Sequence, residues 1–167
     1  SGKAKGIFPE DHPLSLGCLG LRGSKAANTY LREGIDVLLV LGTDLSEMTS
    51  HAWDPKLTPS KALIQVDIDP NEIGKNFPVT VGVVADAAAT VRALETCLRA
   101  RPPKPARDLG AVKRATQYYE EDESFSDAVP MKPQRLMREL RSTLPRDTVV
   151  FGDMFNTYSW ILRYFQS

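Results

Sequence analysis

Three short apolar runs punctuate the first half of the chain. Asp36-Val37-Leu38-Leu39-Val40-Leu41 ends at Gly42, Ala62-Leu63-Ile64-Gln65-Val66-Asp67-Ile68 ends at Asp69-Pro70, and Val79-Thr80-Val81-Gly82-Val83-Val84 ends at Ala85-Asp86. Each has strand length, and the first and third are rich in apolar residues throughout, as expected for strands buried on both faces of a parallel sheet. Helical patterns alternate with them. Residues 24–32 carry Ala26, Ala27, Tyr30 and Leu31 and stop near Gly34, a good terminator. Asp86 reads as the N-cap of a longer helix in which Val91, Leu94 and Leu98 form a stripe expected to be buried, and Pro102-Pro103 closes it. The alternation predicts a doubly wound α/β fold with a mainly parallel sheet.

The pattern changes after Arg101. Pro102, Pro103 and Pro105 open a charge-rich stretch to Asp127, in which Glu120-Glu121-Asp122-Glu123 reads as a solvated surface. A second α/β start follows: Pro133 fits a first helical position, Leu136, Met137 and Leu140 make an apolar face, Thr148-Val149-Val150-Phe151 reads as a strand, and residues 158–165 read as a helix. The expected organisation is a Rossmann-like unit over 1–101, a linker over 102–127 and a truncated second unit over 128–167.

Composition narrows the function. The chain has 167 residues, with 21 Lys+Arg balancing 21 Asp+Glu, so no basic footprint points to nucleic acid or an anionic membrane. No apolar run approaches the roughly 18 residues of a membrane span, and the first residues lack a signal-peptide core. Cys18 and Cys97, with only His12 and His51 as histidines, make neither a disulfide framework nor a zinc cage. A reduced, cytoplasmic setting is the expectation.

Candidate chemistry sits where the strands end. In open α/β sheets ligands bind outside the carboxyl ends of the strands. Those ends carry Gly42, Thr43, Asp67, Asp69 and Asp86. Aspartates there could accept from ribose hydroxyls, and Thr43 could donate to a phosphate; the same residues are also favoured in turns and caps. Gly17, Gly20 and Gly23 are spaced G-x-x-G-x-x-G, which is not a dinucleotide fingerprint, so turn or close-packing roles are expected. Cys18 lies in an apolar setting, and Cys97 is expected to be buried and inert. His12 reads as a turn residue and His51 as a solvated loop residue. No catalytic residue and no metal ligand is identified.

Taken together, Lys5-Gly6-Ile7-Phe8-Pro9-Glu10-Asp11-His12-Pro13-Leu14, Asp36-Val37-Leu38-Leu39-Val40-Leu41-Gly42 and Ile64-Gln65-Val66-Asp67-Ile68-Asp69-Pro70-Asn71-Glu72-Ile73-Gly74 resemble the central domain of thiamine-diphosphate-dependent enzymes of the acetolactate synthase and 2-oxoacid decarboxylase group. Residues 132–160 resemble the opening of that family's diphosphate-binding domain. The resemblance implies a piece of a longer, oligomeric enzyme acting on small 2-oxo acids with thiamine diphosphate and magnesium. The activating glutamate and the Gly-Asp-Gly metal motif would lie outside this chain. It also implies that Asn156 and Thr157 align with a loop contacting the diphosphate, with Phe155 standing where acetolactate synthases commonly have glycine. Some relatives hold FAD, at positions matching Arg22, Gly42, Asp44, Asp67, Ile68 and Asp86. Arg22 in place of histidine and Asp44 in place of arginine disfavour FAD; another nucleotide such as ADP occurs in related decarboxylases, and an empty, purely structural domain is expected ahead of either. The implied role is scaffold and interface without independent catalysis or tight cofactor binding; the alternative is a non-catalytic nucleotide-binding module.

Overall fold

The computed structural model describes residues 1–102, 121–153 and 156–167. Most of the charged linker therefore lies outside the described residues, as do Met154 and Phe155. Within the described residues two compact units occur, one joining 1–30 to 121–167 and the other comprising 31–102.

The second unit is built on a three-stranded sheet. Strands β1 (Val37–Leu41), β2 (Ala62–Asp67) and β3 (Val81–Val84) lie in the order β1-β2-β3, all parallel. Leu39 is opposite Ile64, and Val66 is opposite Val83. Parallel neighbours need connections of about a dozen residues or more. Here those connections carry single 3-10 turns at Pro55–Leu57 and Pro70–Glu72. Polar side chains set the register at the strand starts. Ser60 Oγ and Lys61 Nζ both donate to the Asp36 carboxylate, and Thr80 Oγ1 accepts from the Leu63 amide.

Burial is uneven across the sheet. In β2, Leu63, Gln65 and Val66 are buried, and each of the two aliphatic side chains contributes roughly 1.5–3 kcal/mol. In β1 only Val40 is buried, and Val37 and Leu39 are exposed; β3 has no buried residue. The expectation of strands covered on both faces thus fails for β1 and β3, the two edge strands; the central strand β2 is the most buried of the three. Helix α2 (Ala87–Arg99) begins at Asp86, whose carboxylate accepts from the Ala89 amide, and this is the expected N-cap. Its stripe is not buried. Val91, Leu94 and Leu98 are exposed, as is Cys97, because the helix presents this face beside Leu39 without a covering layer.

In the other unit the chain enters α1 (Lys25–Arg32, whose last two residues fall in the sheet unit) through a tight turn. Gly17 and Gly20 have left-handed φ values of 81° and 117°. A Cβ on Gly23 would lie 2.2 Å from the Cys18 carbonyl oxygen. The three glycines therefore serve turns and close packing, as expected. Ser24 caps α1 by accepting from the Ala27 amide, and the helix ends before Gly34, with φ 103°.

A short turn, α3 (Glu121–Ser124), precedes α4 (Pro133–Thr143) and α5 (Asn156–Tyr164). Met137 of α4 packs with Tyr164 and Phe165 in a small core flanked by Leu144, Trp160 and Ile161. Residues 148–151 are not a strand. A strand requires a hydrogen-bonded neighbour, and the only sheet among the described residues belongs to the other unit. Phe151 is accordingly 92% exposed.

Candidate functional site

The sheet brings the strand ends to one edge. The Gly42 amide donates to the Val66 carbonyl at 2.8 Å, and the Ala85 amide donates to the Asp67 carbonyl at 3.0 Å. Gly42, Thr43, Asp44, Asp67, Asp69 and Asp86 therefore share the carboxyl edge of the sheet. Arg22, and Asn156 with Thr157, belong to the other unit.

Each aspartate has a local partner. Asp44 Oδ1 accepts from the Ser46 amide, Asp67 Oδ1 from the Asp69 amide, Asp69 Oδ1 from the Asn71 amide and side chain, and Asp86 Oδ1 from Ala89. One carboxylate oxygen of each thus closes a turn or cap. Asp69 and Asp86 are exposed, and Asp67 is half-buried. The neighbouring cation, Lys75, is tied to Glu72 at 2.8 Å, and this contact raises its pKa. An edge of this charge suits hydroxyl donors, such as those of a ribose, better than phosphates.

Sequence reasoning missed Gln65. Its side chain is buried in mid-strand, and Nε2 donates to the carbonyls of Thr43 (3.1 Å) and Glu72 (2.9 Å), while Oε1 accepts from the Gly74 amide (2.9 Å). Asn76 Nδ2 donates to the Asp44 carbonyl at 2.7 Å. The available signal was a glutamine inside an apolar strand, since buried amides are hydrogen-bonded as a rule.

For a diphosphate the described residues offer Asn156 and Thr157, both exposed in the first turn of α5. A cavity of about 580 Å³ in the same unit is lined by Lys5, Arg141, Arg146 and Gly152 among others, but by neither Asn156 nor Thr157. Its cations are already engaged. Lys5 pairs with buried Glu10 at 2.6 Å, Arg141 donates to the Leu144 and Pro145 carbonyls, and Arg146 pairs with Asp11. No group of three or more His, Cys, Asp or Glu side chains able to hold a metal occurs among the described residues. Two exposed donors do not by themselves fit thiamine diphosphate with its metal, so no catalytic step is assigned to this chain.

The remaining candidates are quiet. Burial raises the pKa of the Cys18 thiol, which keeps it protonated and a poor nucleophile. Cys97 is exposed, against expectation, because α2 shows that face to solvent. His12 accepts from the Leu14 amide within a turn. His51 is half-buried with its Nε2 unpartnered, so the expectation of a solvated loop histidine fails. Among the described residues no helix is long and apolar enough to cross a membrane.

A parallel α/β unit with loops gathered at the carboxyl ends of its strands is a class shared by many nucleotide- and cofactor-using proteins. Residues 1–94 match the family described as "Thiamine pyrophosphate enzyme, central domain", and the chain belongs to that family. It is 33% identical to a probable acetolactate synthase large subunit of Methanocaldococcus jannaschii, over 98% of this chain and 28% of that protein. It is 34% identical to the putative thiamine pyrophosphate-containing protein YdaP of Bacillus subtilis, over 98% of this chain and 27% of that protein. A sulfoacetaldehyde acetyltransferase of Rhodobacter capsulatus is 35% identical over 89% of this chain and 29% of its own length. The chain thus spans little more than a quarter of the relatives it matches.

Proposed function

We propose that this chain is the scaffold and interface portion of a thiamine-diphosphate-dependent enzyme acting on 2-oxo acids, an acetolactate synthase-like carboligase or a decarboxylase. The observation that carries this is the family match over residues 1–94, which includes the parallel sheet whose strand-end carboxylates all serve turns and caps. Where bound, thiamine diphosphate supplies an electron sink beside the substrate's keto carbon. In this reading Asn156 and Thr157 contact its diphosphate only when further polypeptide encloses them. Magnesium, a homo-oligomer and a cytoplasmic location belong to the same proposal. Calorimetric titration of the purified chain with thiamine diphosphate and Mg²⁺ tests it. The expected result is no binding below millimolar concentrations, and micromolar affinity would contradict it.

A second reading, a non-catalytic nucleotide-binding module, is favoured by one arrangement: Gly42, Thr43, Asp67, Asp69 and Asp86 share the same edge of the sheet. ADP titration separates the two. Saturable binding abolished by Asp67→Asn with Asp86→Asn supports the module, and no binding favours the scaffold.

A further inference from the structure

We infer that Gln65 is the positioning residue of the strand-end edge: its amide fastens the loop after β1 to the loop after β2, so that the two move as one piece. This rests on the reading of that edge as a nucleotide-facing surface only for its ligand, not for its geometry. The amide orientation is over-determined. The Gly74 amide can only donate, so the atom facing it is Oε1; two carbonyl oxygens face the other side, so that atom is Nε2. All of the side chain's polar atoms are thereby used, inside a strand where Gln65 is buried between Leu63 and Val66 of the core.

The loops it joins follow different strands and are far apart in sequence. On the β1 side the Thr43 carbonyl accepts from Gln65 and the Asp44 carbonyl accepts from Asn76. The Thr43 and Asp44 carbonyls are thus both drawn toward the β2 connection. Because a trans peptide places its N–H opposite its C=O, the Asp44 and Leu45 amides face away from the clamp. On the β2 side the Glu72 carbonyl and the Gly74 amide, with Gly74 at φ 75°, close around the same side chain. Asn76 adds a second strap between the same two loops. A ligand approaching the edge meets Thr43, Asp44 and Asp69 in one fixed arrangement.

Two variants and the unmodified full chain test this. Gln65→Leu keeps the volume and removes every bond. Gln65→Glu keeps the shape and the acceptor for Gly74 but, when ionised, loses both donors and sets a carboxylate against two carbonyl oxygens. Protonation restores one donor, and burial raises the pH at which that happens. The readout is amide hydrogen exchange at residues 43–46 and 72–76, with the β1 and β2 amides as reference. The expected result for Gln65→Leu is acceleration on the order of tenfold or more in both loops together, with the strands still protected. For Gln65→Glu, after correction for the intrinsic pH dependence of exchange, the acceleration is expected at pH 8 and shrinks toward pH 5. A purely space-filling role would not produce this pH response. Unchanged exchange in both loops, or loosening of only one, would overturn the inference. An ADP titration runs alongside. If ADP binds the unmodified chain, Gln65→Leu must weaken it about tenfold, and an unchanged affinity overturns the clamp. If ADP does not bind, the nucleotide reading of the edge fails, and hydrogen exchange alone decides the clamp.

Discussion

At Gly23 the Cys18 carbonyl oxygen occupies the space a methyl group would need, 2.2 Å from an ideal Cβ, and the Leu19 carbonyl carbon is 2.7 Å away. Backbone cannot step aside as a flexible side chain can, so Gly23→Ala is expected to cost about 1–3 kcal/mol in chemical denaturation, the usual range for overpacking. A cost near zero would mean that the turn opens without resistance. His51 makes a second residue-scale prediction. Burial lowers its imidazole pKa, the Arg32 guanidinium acts in the same direction, and Asp54 opposes them. The folded chain therefore binds this proton less readily than the unfolded chain, whose histidine titrates near pH 6.5. The corresponding stability is present above that pH and is lost as pH falls below it. His51 also sits at φ 55°, in the region that asparagine tolerates better than most residues. His51→Asn should therefore flatten the fall of the thermal midpoint between pH 7 and pH 5, and an unchanged slope would rule out His51 as its source. The depressed carboxyls of Asp11, held down by Arg146, and Asp54, held down by the Lys56 amide and Arg32, act in a more acidic window and do not confuse the result.

The elements differ in how much they bury. Leu63 on β2 is 2% exposed, whereas Leu98 on α2 is 59% exposed. Leu63→Ala should cost about 2–5 kcal/mol. Leu98→Lys should change stability by less than about 0.5 kcal/mol, since exposed positions away from special features rarely matter more. Equal losses in paired denaturation curves would show that the α2 face is covered in solution. The same contrast explains what could be read beforehand. The N-cap at Asp86, the break at Gly34 and all three strands follow from local chemistry, which residues carry individually. The apolar period of α2 was equally legible, but periodicity says which face is apolar, not whether anything lies against it. Residues 148–151 have strand composition and no strand partner among the described residues, and composition cannot supply one. Gln65 stood in plain view within β2, yet its role depends on Thr43, Glu72 and Gly74, which only the folded sheet brings together.

For the whole molecule, charge at the sheet edge and the chain's share of its relatives bear on the proposed function. Asp44 stays at the strand end, with its carboxylate on the Ser46 amide and its carbonyl on Asn76, where the resemblance places an arginine in FAD-binding relatives. A negative charge beside a diphosphate at this partly solvated edge costs on the order of 1 kcal/mol, and the missing attraction adds a similar amount. Flavin fluorescence titration should therefore show weak or no FAD binding, improved about tenfold or more by Asp44→Arg. Tight binding indifferent to that substitution would place the pocket elsewhere. The family match over 1–94 and the span of about 28% of the Methanocaldococcus jannaschii relative lead to one further expectation: the reacting groups are not all within these 167 residues. The most direct measurement of that claim is carbon dioxide release from pyruvate by the purified chain with thiamine diphosphate and Mg²⁺. The account predicts a rate indistinguishable from the protein-free control. Cofactor-dependent release that scales with protein concentration would contradict it.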